Sequence, residues 1–327
     1  MPNWIGLDVH KRTCHATVLD ERGVVVQTKL QNEPEELKRF FENFDDAKVA
    51  MEAAYFWQPV YELIEQLGHE VVLAHPKETR IIAKRKVKTD AKDSEALVYL
   101  LQLGWLPTAY VPPNEIRDLR ELVMLHVYLV HERTRFKNKV RAELAKRWFR
   151  LAMNPFTKRG RENLAELDSR TVHICTDVIE TLDKNIKELE RELKSRAGES
   201  EEARLLMSIP GVGYFSALAV LAELGDVGRF PDEKKVCAYA GLVPSLHQSG
   251  STSRLGHVTK EGSPLLRWVL VQCAWMHLQH AENTGLTRFF WRIARRKGSK
   301  VAILAMARKL LVTMYLMLKR HEEFRAH

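Results

Sequence analysis

The feature that most constrains this chain is a change of hydrophobic period near residue 112. Before it, apolar runs of strand length alternate with segments of helical period. "NWIGLDVHKRTCHATVLD", the turn "ERG" and "VVVQTKL" read as two strands with a tight turn at Glu21-Arg22-Gly23. "EPEELKRFFENF" is an amphipathic helix opened by acids, and "AKVAMEAA" is a buried strand. "FWQPVYELIEQLG" is a helix stopping near Gly68, and "HEVVLAHP" is another strand. Strands separated by helices at this spacing predict an α/β domain over residues 1–112, with helices packed on a sheet.

From Asn114 the pattern is helical and charged, beginning with "IRDLRELVMLHVYLVHERTRFKNKVRAELAKRW". Within "TVHICTDVIETLDKNIKELERELKSRA", Val178, Leu182, Ile186, Leu189 and Leu193 recur at spacings of four, four, three and four. Such a stripe serves either helix-on-helix packing or pairing between copies, and the reading leans towards pairing. A helical, coiled-coil-like connector is therefore expected over 113–200. "AGESEEA" interrupts it, and 201–327 form a third, mostly helical region. There, "LLMSIPGVGYFSALAVLAELG" sets two apolar helical pieces around Pro210-Gly211-Val212-Gly213, the pattern of a helix-hairpin-helix. Gly211 and Gly213 would let backbone N–H groups approach a phosphate. A plain tight turn between packed helices has the same pattern.

The formal net charge of +9 favours a polyanionic partner, nucleic acid ahead of membrane. Cys14, Cys175, Cys237 and Cys273 lie far apart with no CxxC, so neither a zinc site nor a disulfide framework is expected, and a reducing cytoplasmic setting is. "MPNWIGLDVHKRT" lacks the apolar run of a signal peptide, and no stretch is expected to reach the ~20 apolar residues of a membrane span.

"KRKVKTDAKDSEALVYLL" sets Lys84, Arg85, Lys86 and Lys88 directly ahead of Asp90 and Asp93 as an apolar helix begins. Taken alone, the two acids complement a helix dipole. Three residues apart, however, they also share one helix face. Two further acids interrupt apolar strands, Asp8 in "WIGLDVH" and Glu52 in "AKVAMEAA", where an unpaired charge is costly. Four carboxylates converging from two strands and a helix repel one another unless a divalent cation offsets them. Hard oxygen ligands suit Mg²⁺ or Mn²⁺, and paired metals are a known solution for phosphodiester displacement.

Near the other end, "YAGLVPSLHQSGSTSRLGHVTKEGSPLLRWVLVQCAW" reads as a Ser-, Gly- and cation-rich loop running into an apolar helix. Ser249, Ser251, Ser253, Arg254, Lys260 and Arg267 are candidates for phosphate contact, though a polar surface loop has the same composition.

The order Asp8, Glu52, Asp90, Asp93 along an α/β domain resembles the RNase H-like fold of RuvC-type Holliday-junction nucleases. More closely, "GLDVHK", "MEAA" and "KTDAKDSEALVYLL" resemble the DEDD domain of the insertion sequence 110 family of transposases. GL-x-P, Q-S-G, R-x-G, T-K-x-G and L-R in the later segment resemble that family's C-terminal transposase domain, with "SIPGVG" upstream where the family has it. The resemblance spans nearly the whole chain. It implies a Mg²⁺ or Mn²⁺ site at the four acids and assigns Ser249, the serine before glycine, as the nucleophile that attacks DNA. A serine hydroxyl is a weak nucleophile unless activated. The resemblance further implies a 5′-phosphoserine intermediate, strand exchange and a Holliday-junction-like stage. In a homo-oligomer, a dimer or tetramer, the acids of one subunit would meet the serine of another. An element-encoded structured guide RNA would pair with donor and target double-stranded DNA, leaving the protein to read backbone shape.

The expectation is thus a site-specific DNA recombinase of a mobile element. One alternative is a metal-dependent junction nuclease in which Ser249 only binds phosphate. The other is a non-catalytic nucleic-acid-binding scaffold, against which the four acids weigh, because anions beside a phosphate backbone weaken binding.

Overall fold

The computed structural model describes residues 3–82, 89–149, 153–249, 252–259 and 261–325. The chain divides into two compact units, Met1–Val111 and Pro112–His327.

The first unit is built on a five-stranded mixed sheet of order β3-β2-β1-β4-β5. Strands β1 (Asn3–Val9), β2 (Thr13–Asp20) and β3 (Gly23–Gln31) form an antiparallel meander. Here three strands stand where two were expected. The polar tripeptide His10-Lys11-Arg12 ends the first apolar run, and the His10 N–H donates to the Thr13 carbonyl at 2.9 Å to close the turn. Strands β4 (Ala47–Glu52) and β5 (Glu70–Ala74) lie parallel, β4 beside β1. Their connections run through α1 (Pro34–Phe41) and α2 (Trp57–Gln66), as parallel neighbours require. Helices α3 (Pro76–Ile82) and α4 (Asp90–Gln102) follow β5.

Side chains alternate across a strand, so β1 serves two layers. Ile5, Leu7 and Val9 join Leu37, Phe41, Val60 and Ile64 of α1 and α2 in one core. Gly6 faces α4. A Cβ on Gly6 would stand 2.1 Å from the Ser94 carbonyl oxygen and 2.8 Å from the Val98 nitrogen, so only glycine admits the helix backbone at that distance. Thr17 pairs with Gly6 in register, and its hydroxyl lies 2.8 Å from that of Ser94 in a buried contact. Helix α4 starts where Thr89 caps it, the hydroxyl accepting from the Lys92 N–H.

The second unit is almost wholly helical. It comprises α5 (Asn114–Lys146), α6 (Lys158–Ala165), α7 (Arg170–Glu199), α8 (Glu201–Met207), α9 (Tyr214–Leu224), α10 (Glu233–Tyr239), α11 (Pro264–His280), α12 (Gly285–Lys297) and α13 (Ser299–Arg320). The pairs His126–Glu190 and Arg133–Asp183 show that α5 and α7 run antiparallel. The α7 stripe meets this chain's own helices. Ile186 and Leu193 are buried, and Leu193 and Ala197 share one core with Val123 of α5 and with α9, α11 and α13. Packing within the chain therefore takes up Ile186 and Leu193, while Val178, Leu182 and Leu189 of the stripe stay half-buried.

Two more expectations change. The segment expected to be a loop contains a two-stranded antiparallel hairpin, β6 (Pro244–Ser249) and β7 (Thr252–Val258). And α13, with 22 residues, is long and apolar enough by length and composition to cross a membrane, where no such stretch was expected. Its Met306, Leu310, Leu311 and Met314 lie in the core of this unit, which accounts for the apolarity. The four cysteines are free thiols in buried positions.

Candidate metal centre and nucleic-acid contacts

In an open sheet, ligands gather beyond the carboxyl ends of parallel strands. Strands β1 and β4 end at the same edge, with Leu7 paired to Met51, so Asp8 and Glu52 stand next along each strand. Asp8 shares the α4 face with Gly6, two residues before it. Asp90 and Asp93 occupy the first turn of α4, just ahead of Ser94. The close approach at Gly6 and the Thr17–Ser94 contact therefore hold the acidic turn of α4 over the end of β1.

The tightest grouping is Asp8, His10 and Asp90, whose candidate ligand atoms all lie within 4.8 Å of one another. His10 Nε2 is 3.4 Å from Asp8 Oδ2 and 3.3 Å from Asp90 Oδ2. His15, paired with Asp8 across β1 and β2, brings its Nε2 to 3.7 Å from the same Asp90 oxygen. Asp8 is buried, at 8% exposure. Burial chiefly pushes its pKa up, and the charges of Asp90, Asp93 and Glu52 add to that rise while His10 opposes it. The three other acids picked out in the sequence thus all act on Asp8, though the compact triad includes a histidine in place of Glu52 and Asp93.

Neither histidine stood out in the sequence. His10 follows Asp8 by two residues, the period of one strand face, and that was the available signal. His15 required the β1–β2 register, which no local pattern supplies. The residues fit a divalent cation. A buried carboxylate crowded by anions is destabilised in its charged form, and a nearby dication reverses that effect.

Lys84, Arg85, Lys86, Lys88 and Lys260 lie outside the described residues, as does Ser251. Ser249 ends β6 opposite Thr252, while Ser253 and Arg254 lie in β7 opposite Gln248 and His247. Arg267 donates through Nη1 to the carbonyls of Ala240 (3.2 Å) and Gly262 (3.1 Å), so that nitrogen braces the fold. The two hairpin glycines differ. Gly211, at φ +89°, would place a Cβ 2.5 Å from the His277 nitrogen and so lets the turn press onto α11. At Gly213 a Cβ would meet nothing within 4 Å, and this residue starts α9 with no side-chain cap. Of the two, Gly213 has the open approach.

Residues 5–148 match the model of the DEDD transposases of the IS110 type, and residues 203–289 match the "Transposase IS116/IS110/IS902 family". The transposase of insertion sequence element IS1328 of Yersinia enterocolitica is 30% identical over 95% of this chain and 95% of its own. That of element IS1111A of Coxiella burnetii is 28% identical over 98% of this chain and 91% of its own. A pilin gene-inverting protein of Moraxella bovis is 24% identical over 82% and 79%. The mixed sheet, its edge of acids and these matches define a transposase, an enzyme that cleaves and rejoins DNA. The chain belongs to the IS110 family of insertion-element transposases.

Proposed function

We propose that this transposase works as a site-specific DNA recombinase of its element through a phosphoserine intermediate, with an RNase H-like, RuvC-like catalytic domain over residues 1–112. A helical connector over 113–200 and a serine-bearing domain with a helix-hairpin-helix over 201–327 complete the reading. The carrying observation is the grouping of Asp8, His10 and Asp90 within 4.8 Å, with Asp93 and Glu52 near enough to act on the buried Asp8. The strand order, three antiparallel strands followed by two parallel ones, supports the RNase H-like assignment.

Asp8, Asp90 and His10, with Glu52 and Asp93 beside them, would hold Mg²⁺ or Mn²⁺. When bound, the cation supplies charge stabilisation for displacement at a phosphodiester. The remaining roles belong to the chain. His10 bridges Asp8 and Asp90 and fixes their spacing. Ser249 attacks phosphorus, so a serine O–P bond forms, the P–O3′ bond breaks and a proton passes to the released 3′ oxygen. A second 3′-hydroxyl then displaces the serine, and the bond energy is conserved without ATP. Acids of one subunit act with the partner subunit's Ser249, in a dimer or tetramer. Net positive charge suits donor and target duplexes together with a structured guide RNA encoded by the element, in the cytoplasm.

The test is a DNA duplex nicked near the crossover, which traps a covalent adduct that survives a denaturing gel. Ser249→Ala should bind the DNA but form no adduct, while Ser251→Ala and Ser253→Ala keep it. Cutting by Ser249→Ala at the normal rate would establish the junction nuclease instead, and an adduct on Ser251 would move the nucleophile by two residues.

A further inference from the structure

Between Gly285 and Arg320 the chain carries ten cations and no acid, against a net charge of +9 for all 327 residues. The rest of the chain is therefore close to neutral. Much of this charge is concentrated on one face of α12. At 100° per residue, Arg288, Arg292, Arg295 and Arg296 fall on one side, and Leu286, Phe290 and Ile293 on the other. The apolar side is packed, with Leu286 and Phe290 buried, while all four arginines are exposed.

Trp291 lies on the basic side. It is 57% exposed, yet its ring is held in a T-shaped contact with Phe290 at 5.1 Å between centroids. Trp275 of α11 meets Phe290 from another direction at 6.1 Å and is 39% exposed. Arg288 and Arg295, three residues before Trp291 and four after it, are its neighbours on the helix surface, and Arg292 lies one turn from each. Arg292 is steadied over the Phe289 ring at 5.3 Å to the centroid.

A basic helix face alone needs only phosphate, and paired duplex phosphates would satisfy it. A fixed exposed indole among arginines has no partner in a stacked duplex, because base faces are covered there. It suits an unstacked base, whose face can lie on the ring while the backbone follows the arginines. We propose that the basic face of α12 binds an unpaired DNA strand, such as one opened from the transposase's own duplex substrate, with Trp291 as stacking platform and Arg292 and Arg295 as phosphate contacts. The inference depends neither on Ser249 nor on the acid cluster.

Fluorescence anisotropy of the full-length protein with labelled 15-nucleotide single-stranded DNA, the same sequence as duplex, and the same sequence as single-stranded RNA tests it. Trp291→Ala should weaken single-stranded DNA binding about tenfold, leave duplex binding unchanged, and be rescued by Trp291→Phe. Arg292→Gln with Arg295→Gln should weaken single-strand binding and lower the slope of log K against log salt by about 1.4, or ~0.7 per lost phosphate contact. Because these side chains are exposed, an unchanged unfolding midpoint is the control for folding. Equal losses on single strand and duplex would overturn the proposal, as would no loss with Trp291→Ala. A loss confined to RNA, or displacement of the DNA by anionic phosphatidylserine vesicles but not by neutral ones, would also overturn it.

Discussion

The Thr17 and Ser94 hydroxyls, 77 residues apart in sequence, lie 2.8 Å from each other in the interior of the first unit. Ser94 also donates to the Ala91 carbonyl one turn back. The contact pins α4 across β1 and β2 at the level of Gly6, and this seat presents Asp90 and Asp93 to Asp8.

The first prediction tests that seat. Gly6→Ala adds a methyl where the Ser94 carbonyl oxygen and Val98 nitrogen already stand. Overpacking of this kind costs about 1–3 kcal/mol. Because α4 must lift with its acids, DNA cleavage should fall further than the lost stability explains. Urea unfolding together with cleavage at a temperature where the variant stays folded checks this. Full activity in a folded variant would show that the seat is not needed.

Asp8 is buried among like charges, so its carboxylate is retained for its chemistry. Asp8→Asn should abolish cleavage and, in chelator, raise the unfolding midpoint by on the order of 2 °C. Mg²⁺ or Mn²⁺ should stabilise the wild type in thermal-shift measurements and leave Asp8→Asn unmoved. An equal metal response in both proteins would place the cation elsewhere.

His10 spans Asp8 and Asp90. His10→Ala should lower cleavage by ~10–100-fold, the usual scale for losing a residue that orients metal ligands, with DNA affinity unchanged. A decrease in DNA binding of the same size would recast His10 as a phosphate contact.

Asp183 joins α5, α6 and α7. It accepts from Arg133 at 3.0 Å and from Arg161 at 2.7 Å. Burial pushes its carboxyl up, but the two arginine hydrogen bonds outweigh it and hold the pKa below the ordinary value. A depressed carboxylate stabilises the fold above its unfolded pKa of ~3.9 and loses that contribution as pH falls through the lower folded value. Asp183→Ala should therefore cost about 1–2 kcal/mol at pH 7, and the gap to wild type should close only in strong acid. Circular dichroism melts at pH 7 and pH 3 measure it.

His277 is fully buried in α11, with Nδ1 2.8 Å from the Pro210 carbonyl and Nε2 2.8 Å from the Thr284 hydroxyl. Burial lowers its pKa, only partly opposed by the Pro210 carbonyl. The unfolded chain then binds a proton that the native state refuses. Stability should fall below pH ~6.5, by up to ~1.4 kcal/mol per pH unit for this histidine. His126, half-buried and lowered for the same first cause, adds to the slope. His277→Gln should flatten the dependence between pH 7.5 and 5.5 in urea unfolding. An unchanged slope would assign it to other groups.

Much of this protein is determined within short windows of its sequence. The apolar period separates the sheet region from the helices, and the acids at 8, 52, 90 and 93 stand out because charge is costly in apolar surroundings. The cap at Thr89 and the stop near Gly68, at φ +89°, are local as well. Tertiary structure decided the rest. The β1–β2 register carried His15 to Asp90, and the packing of α4 on Gly6 selected a triad containing His10 from a set of acids. The α7 stripe could have faced another copy, and α13 a lipid, since an apolar surface specifies burial without naming its partner. The apolar side of α13 faces this chain's own core, as does Leu193 of the stripe, while Val178, Leu182 and Leu189 stay half-buried. Periodicity is written in a dozen neighbouring residues, whereas register and close approach depend on elements many tens of residues apart arriving at the same place.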